Sequence, residues 1–356
     1  MPRRTPELRR AKWLFFLIAL GANAISPGPA RASECGNEAG FSPCFDANTL
    51  WLPAGRSSFF SISNTHTTEP GQLGAGVATE LLHRPISLQV ASPDRDGRDV
   101  HALAYALDVS YFVSIGLVRN LEASVLASMR AFQAGAGTSG ITSQSAPPLA
   151  HNAVRDPRLG LAYSFDEALA VRGFGLRLGV DVTLPLGDRA DFANERSFVV
   201  MPKATFGFRY RALQLSAELG ARLRQAVDFA GVRLGNQGFV AFGAALELLP
   251  ANWLTVSAEL FGLPPLTDNR GAAASPWVSE TRLFPAEWLA GVHSSFGSHG
   301  LCTVSLAAGS GLPLSSETRN SSAGPHTSYF MGMTTPDFRS LLVVRLTPAE
   351  GRSTPL

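Results

Sequence analysis

Along residues 213–224 the side chains alternate without a break. Leu213, Leu215, Ala217, Leu219, Ala221 and Leu223 fall on one face, and Gln214, Ser216, Glu218, Gly220, Arg222 and Arg224 on the other. A period of two over so long a run describes an extended strand with one greasy and one polar face, which no amphipathic helix reproduces. The pattern recurs at Phe174, Leu176, Leu178, Val180, Val182 and Leu184 against Gly173, Gly175, Arg177, Gly179, Asp181 and Thr183. It recurs again at Tyr105, Leu107, Val109, Tyr111, Val113 and Ile115 against Ala106, Asp108, Ser110, Phe112 and Ser114. About twelve such segments follow one another, near 72–82, 100–116, 121–133, 155–165, 171–185, 198–210, 213–224, 237–249, 253–263, 284–296, 300–311 and 337–347.

The links alternate too. After the second, fourth, sixth, eighth and tenth segments they are short, at 118–120, 166–170, 212, 250–252 and 297–298. After each odd segment the link is long and rich in Gly, Ser, Pro and Asp, as in "QAGAGTSGITSQSAPPLAHNAV" and "SSETRNSSAGPHTSYFMGMTTP". Tight turns at one end of a meander and long loops at the other predict an all-β fold. Specifically, they predict an antiparallel up-and-down transmembrane β-barrel of about twelve strands with short periplasmic turns and long extracellular loops. A soluble sandwich or lipocalin-like barrel also alternates, but often with strands of about five or six residues and an apolar interior. Here the strands reach the length of a tilted membrane span. On the tenth segment Trp288 and Phe296 bracket the greasy face at a height difference of roughly 20 Å, near that of a lipid-facing band. An even strand number leaves both barrel termini on the turn side, where the segment before the first strand is also expected.

The N-terminal stretch sets the compartment. Arg3, Arg4, Arg9, Arg10 and Lys12 precede the apolar run 13–25, and Ala30-Arg31-Ala32 offers the small residues of a cleavage site. Residues 1–32 therefore read as a secretory signal peptide, too short in its apolar run for a helical anchor. Glu34 before Cys35 argues against lipid attachment at that cysteine. The signal holds six of the 30 basic residues and one of the 28 acidic ones, leaving 24 against 27, so the mature chain is mildly acidic and nucleic-acid binding loses its compositional support. No window of the mature chain holds eighteen consecutive apolar residues, which excludes helical spans. Cys35 and Cys44 are the candidate disulfide of an exported chain, with Cys302 left as a small apolar residue on an alternating strand.

The segments "QSAPPLAHNAVRDPRLGLAYSF", "GARLRQAVDFAGVRLGNQG", "LFPAEWLAGV" and "TPDFRSLLVVRLTP" resemble a group of poorly characterised Gram-negative outer-membrane barrels, relatives of which carry a C-terminal OmpA-like peptidoglycan-binding domain. The resemblance covers about 51–348 and implies location and fold: an outer-membrane protein in contact with outer-membrane lipid, inserted by the barrel-insertion machinery. After the last strand only "AEGRSTPL" follows, so wall anchoring is not carried over. The organisation expected is a signal over 1–32, an N-terminal periplasmic segment or lumen plug over 33–71, the barrel over 72–347 and a short tail over 348–356.

Alternation assigns a charged lumen. Its acids are Glu80, Asp108, Glu122, Asp181, Glu218, Glu247 and Glu259, set against Arg130, Arg158, Arg177, Lys203, Arg209, Arg222, Arg224, Arg339 and Arg345. Such an interior is either a polar conduit that selects solutes or a self-paired ladder in a closed barrel. If the barrel conducts, Arg177, Lys203, Arg209 and Arg222, on consecutive strands, are expected to give a local positive patch whose field Asp181 and Glu218 neutralise in part, with a weak preference for anions at most.

Three motifs fail their chemical tests. His293-Ser294-Ser295 has the His-x-Ser spacing of outer-membrane phospholipase, but alternation turns His293 to the lumen, and the residues after the serine are Phe296 and Gly297. The glycines of "GFGLRLG" lie inside a strand with no helix after them, so they do not form a dinucleotide loop. Asp94, Asp96 and Asp99 of "SPDRDGRD" are weak metal candidates, with two arginines among them and no acidic twelfth ligand. No enzyme activity, cofactor or metal is expected. The function expected is a passive channel or transporter for small solutes. The alternative is a structural or surface-interaction envelope protein with a closed or plugged barrel, and a lipid hydrolase ranks last.

Overall fold

In the computed structural model the described residues are 40–90, 98–139, 148–165, 173–249, 253–270, 278–296, 301–321, 324–330 and 333–347. Twelve strands form the barrel: β1 (Leu73–Val90), β2 (Arg98–Val118), β3 (Leu121–Ala134), β4 (Arg158–Ser164), β5 (Phe174–Thr183), β6 (Val199–Tyr210), β7 (Leu213–Arg222), β8 (Gln237–Leu249), β9 (Leu254–Gly262), β10 (Ala286–Phe296), β11 (Cys302–Gly311) and β12 (Phe338–Leu346). Each pairs antiparallel with its sequence neighbours. The ring closes where β12 meets β1, from Ala75 opposite Leu346 to His83 opposite Phe338. Closure removes every sheet edge that lipid would leave without hydrogen-bond partners.

The turn and loop ends are those the link lengths predict. Arg119–Asn120 and Arg211–Ala212 make tight turns, with Asn120 at φ 65° and Arg211 at φ 54°, while the links after β3, β5, β7, β9 and β11 are long. The long links carry six short strands that alternation did not reveal. Ala153–Val154 pairs with β3. Val227–Phe229 and Val232–Leu234 form a hairpin whose two turn residues, Ala230 and Gly231, both take positive φ, as a type I′ turn requires. Val278–Arg282, Ser315–Ser321 and Gly324–Phe330 form a three-stranded sheet.

β1 also runs further than its alternation suggested, to Val90 instead of 82. Arg84, at φ 51°, and Pro85 interrupt the period, and the β1–β2 register shifts between His83 and Ile86 before pairing resumes out to Val90 opposite Arg98. Proline cannot donate to a ladder, and a bulge absorbs the extra residue.

All twelve strands present apolar side chains outward, among them Leu81, Tyr105, Leu178, Phe206, Leu219, Phe242, Leu260 and Leu342, each more than a third exposed. Their neighbours in sequence face inward, so Glu218 is 1% exposed beside Leu219 at 46%. The interior is not lined by polar groups alone, however. Phe239, Ala241, Ala245, Phe261, Leu341 and Val343 also point in and are buried, because the segment before β1 brings Leu50, Leu52, Phe59, Phe60 and Ile62 against them.

Candidate functional site: an occupied lumen

Residues 40–72 thread the barrel. At one end the amides of Ser42 and Ala230 donate to the carbonyls of Asp228 and Gly40, and the amide of Ala47 donates to Phe192, all within or against the long links. Phe45 and Ala47 pack there with Leu82, Ile86, Ala102, Phe192 and Phe229. At the other end Pro70 bridges Gly116, two residues from the end of β2, and the amide of Gly71 donates to the Gly116 carbonyl. The segment thus begins among the long loops and reaches the turn side only where β1 starts. Its first described residues sit at the mouth opposite the tight turns, and the chain crosses the lumen to join β1, as a segment folded into the barrel would.

The lumen charges hold this segment by its backbone. Glu259 accepts from the amides of Phe60 (2.7 Å) and Ser61 (2.8 Å) and from the Ser61 hydroxyl (2.6 Å). Glu218 accepts from the amide of Ser63 at 2.8 Å and from Thr205 Oγ1 at 2.7 Å. Glu122 accepts from the amide and hydroxyl of Thr68 at 2.8 and 2.7 Å and pairs with Arg177 at 2.8 Å. From the cationic side, Arg222 donates to the carbonyl of Thr49 (2.6 Å), Arg158 to that of Leu52, and Arg177 to those of Asn64 and His66. Carboxylates that accept amide protons and guanidiniums that donate to carbonyls make charge-assisted bonds, the stronger class.

A network buried but for the partly exposed Asp46 lies toward the loop mouth. Arg130 pairs with Asp108 at 2.8 Å, and Arg155 reaches Asp46 at 2.6 Å and Asp108 at 3.1 Å. Arg339 bonds Glu287 at 2.7 and 2.8 Å and also pairs with Glu80. Asn48 sits at its centre, giving Nδ2 protons to Glu80 and Asp108 while its Oδ1 accepts from Arg339. Nearby in the link between β5 and β6, burial pushes the Asp191 carboxyl above its ordinary range, against the amide of Ala150, which donates to it at 2.8 Å.

Of the residues assigned to the lumen by alternation, Glu80, Asp108, Glu122, Arg130, Arg158, Arg177, Asp181, Glu218, Arg222, Glu259, Arg339 and Arg345 are all buried. Lys203 pairs with Asp181 at 2.8 Å. Arg209 and Glu247 pair with each other at 2.9 Å near the tight turns, with Arg209 more than half exposed, and Arg224 pairs with Glu195 in the loop-side mouth. The field of the four is neutralised further than expected: Arg177 sits on Glu122, Lys203 on Asp181 and Glu218, and Arg209 on Glu247, while Arg222 pairs with no acid among the described residues. Glu287 is a lumen acid that was missed, although its neighbour Trp288 faces out and so places it inward. Asp46, Asn48 and Trp51 carried no periodic signal.

His293 shares hydrogen bonds with Ser257 at Nε2 (2.9 Å) and Ser305 at Nδ1 (2.8 Å), and its ring stacks on Phe60 at 4.9 Å. Ser295 bonds Thr303 instead, so the His-x-Ser spacing does not assemble a nucleophile and base. Cys44 is disulfide-bonded and Cys302 is free, while Cys35 lies outside the described residues. Asp94 and Asp96 also lie outside them; Asp99 is exposed, and no group of three ligating side chains is found among the described residues.

No family model and no curated protein matches the chain. Among solved structures it is similar to an outer membrane channel from Pseudomonas putida F1, with TM-score 0.54 and 11% identity over 80% of this chain and 98% of that one. It also resembles the NanC porin (TM-score 0.43, 9% identity, 77% and 99% covered) and an active-site mutant of outer membrane phospholipase A from Escherichia coli (0.35, 11%, 80% and 93%). The chain has the fold of a Gram-negative outer-membrane β-barrel, closed with twelve strands.

Proposed function

We infer that the protein is an outer-membrane channel for small solutes that its own N-terminal segment holds closed. It would be exported on a cleaved signal, delivered to the outer membrane of a Gram-negative cell by the barrel-insertion machinery, and bathed by outer-membrane lipid along its apolar belt. The observation that carries this reading is the passage of residues 40–72 through the lumen, bound to the charges that would line a water-filled pore. Two cavities beside the segment, of about 20 and 30 Å³, each have room for a water or two. The channel described from Pseudomonas putida F1 supports the same reading by its fold.

The test is conductance in planar bilayers. The full-length chain is expected to dwell closed, and the chain lacking residues 33–70 to conduct steadily, with heat-modifiable mobility used to show that both barrels are folded. A folded deletion variant that stays silent would sink the channel reading. It would favour a structural barrel, for which the aromatic seal at the loop mouth speaks: Phe45, Phe192 and Phe229 meet edge-on with ring centroids 5.3–5.4 Å apart.

A further inference from the structure

Two buried lumen arginines share one aromatic ring and, among the described residues, form no ion pair. Arg130, Arg155, Arg177, Lys203 and Arg339 each lie within ion-pairing distance of a carboxylate. Among the described residues Arg158 and Arg222 form no such pair, although each is less than a tenth exposed. Arg345 shares that lack, but it lies over Phe112 on another arc of the barrel. The guanidinium carbons of Arg158 and Arg222 stand 4.8 and 4.5 Å from the ring centroid of Trp51, a residue of the lumen segment. Their protons go to the carbonyls of Leu52 and Thr49, on either side of Trp51. Arg158 is the first residue of β4 and Arg222 the last of β7, so both stand on the loop side of the lumen.

Two like charges over one ring, in an interior of low dielectric, repel each other. A ring face, two carbonyl dipoles and carboxylates standing beyond pairing distance, Asp181 for Arg158 and Glu195 for Arg222, compensate them only in part. The missing component is a carboxylate in direct contact, whose planar, two-oxygen form a guanidinium fits. Trp51 with its flanking carbonyls thus presents what an aromatic carboxylate would present, less the charge. The cavities that Arg158 borders are too small for a solute, so the two occupants exclude each other.

We propose that Arg158 and Arg222 form a binding site for an aromatic carboxylate, held in the closed protein by Trp51 as an internal mimic, and that the solute displaces Trp51 to loosen the segment. The site deepens the channel reading and rests on it for its role, but its binding chemistry is tested apart from conduction.

Trp51→Ala in the full-length chain empties the clamp, and benzoate is the probe. Acetate carries the charge without the ring, and benzyl alcohol the ring without the charge. By equilibrium dialysis, benzoate is expected to bind the folded variant saturably, with both controls competing at least about tenfold less well. Adding Arg158→Gln and Arg222→Gln is expected to weaken binding by a similar factor. Equal competition by acetate or benzyl alcohol, or binding that survives loss of both guanidiniums, overturns the proposal. Should Trp51→Ala fail to fold, the intact clamp is tested with Ala54→Cys in a Cys302→Ser background. Benzoate, and not acetate, is expected to speed labelling of that cysteine by an impermeant maleimide; unchanged labelling overturns the proposal. A protein that binds benzoate in this way yet never conducts keeps the site and loses the channel.

Discussion

Glu259 accepts three hydrogen bonds from two adjacent residues of the lumen segment, more than any other barrel carboxylate accepts from it among the described residues. Glu259→Ala leaves two buried amides without an acceptor, a loss of about 1–3 kcal/mol for each unsatisfied group. Glu259→Gln keeps one acceptor oxygen and puts an NH2 donor in place of the other, so it loses the charge and part of the set. In bilayers the open probability is expected to rise most for Glu259→Ala, less for Glu259→Gln and least for the native chain. Equal behaviour of the three would mean that this grip does not hold the segment. Gly243 makes a matching steric point, since a Cβ there would stand 2.6 Å from Phe59 Cε1 and 2.9 Å from Ile62 Cδ1. Gly243→Val suits a strand intrinsically, so the barrel is expected to fold while labelling of Ala54→Cys increases. A variant with unchanged labelling would show that the segment can give way without loosening.

At the scale of the strand, the two faces of β7 predict opposite outcomes. Leu219→Arg puts a guanidinium into lipid, at a cost of roughly 2–4 kcal/mol near the midplane. It is expected to lower refolding yield into detergent or lipid. Glu218→Gln touches only the lumen, where Ser63 and Thr205 donate to it, and refolding is expected to stay near native. Equal yields would contradict the assignment of faces. Alternation made these faces legible because lipid outside and a charged wall inside impose the same period on every strand, and by that rule Glu287 was legible as well. The extension of β1 past Arg84-Pro85 was not, since a bulge breaks the period that identifies the strand. Nor was the lumen path of residues 40–72, whose backbone is fixed by side chains distant in sequence, as when Thr49 meets Glu287 at 2.8 Å. The inward-facing pairs Phe239 with Ala241 and Leu341 with Val343 interrupt the polar face, and they are the sequence mark of apolar cargo inside a barrel.

For the whole molecule, orientation is the first consequence to check. Thr327, exposed on the loop-side sheet, is expected to label as Thr327→Cys on intact cells, and Ala212→Cys in a tight turn to stay silent, both in a Cys302→Ser background. The reverse pattern would invert the topology. The path of the segment sets a second consequence. Its anchor at Leu73 is on the turn side and its first described residues are at the loop mouth, so among the described residues it is a thread drawn through a ring, continuous with the ring at one rim and held at the other by non-covalent contacts. Such a thread clears the ring only by sliding back toward its knot, and a bead on its free end would stop it there. A biotin acceptor placed before Gly40 and capped with streptavidin after folding is expected to abolish opening, whereas streptavidin bound at Thr327 should leave it unchanged.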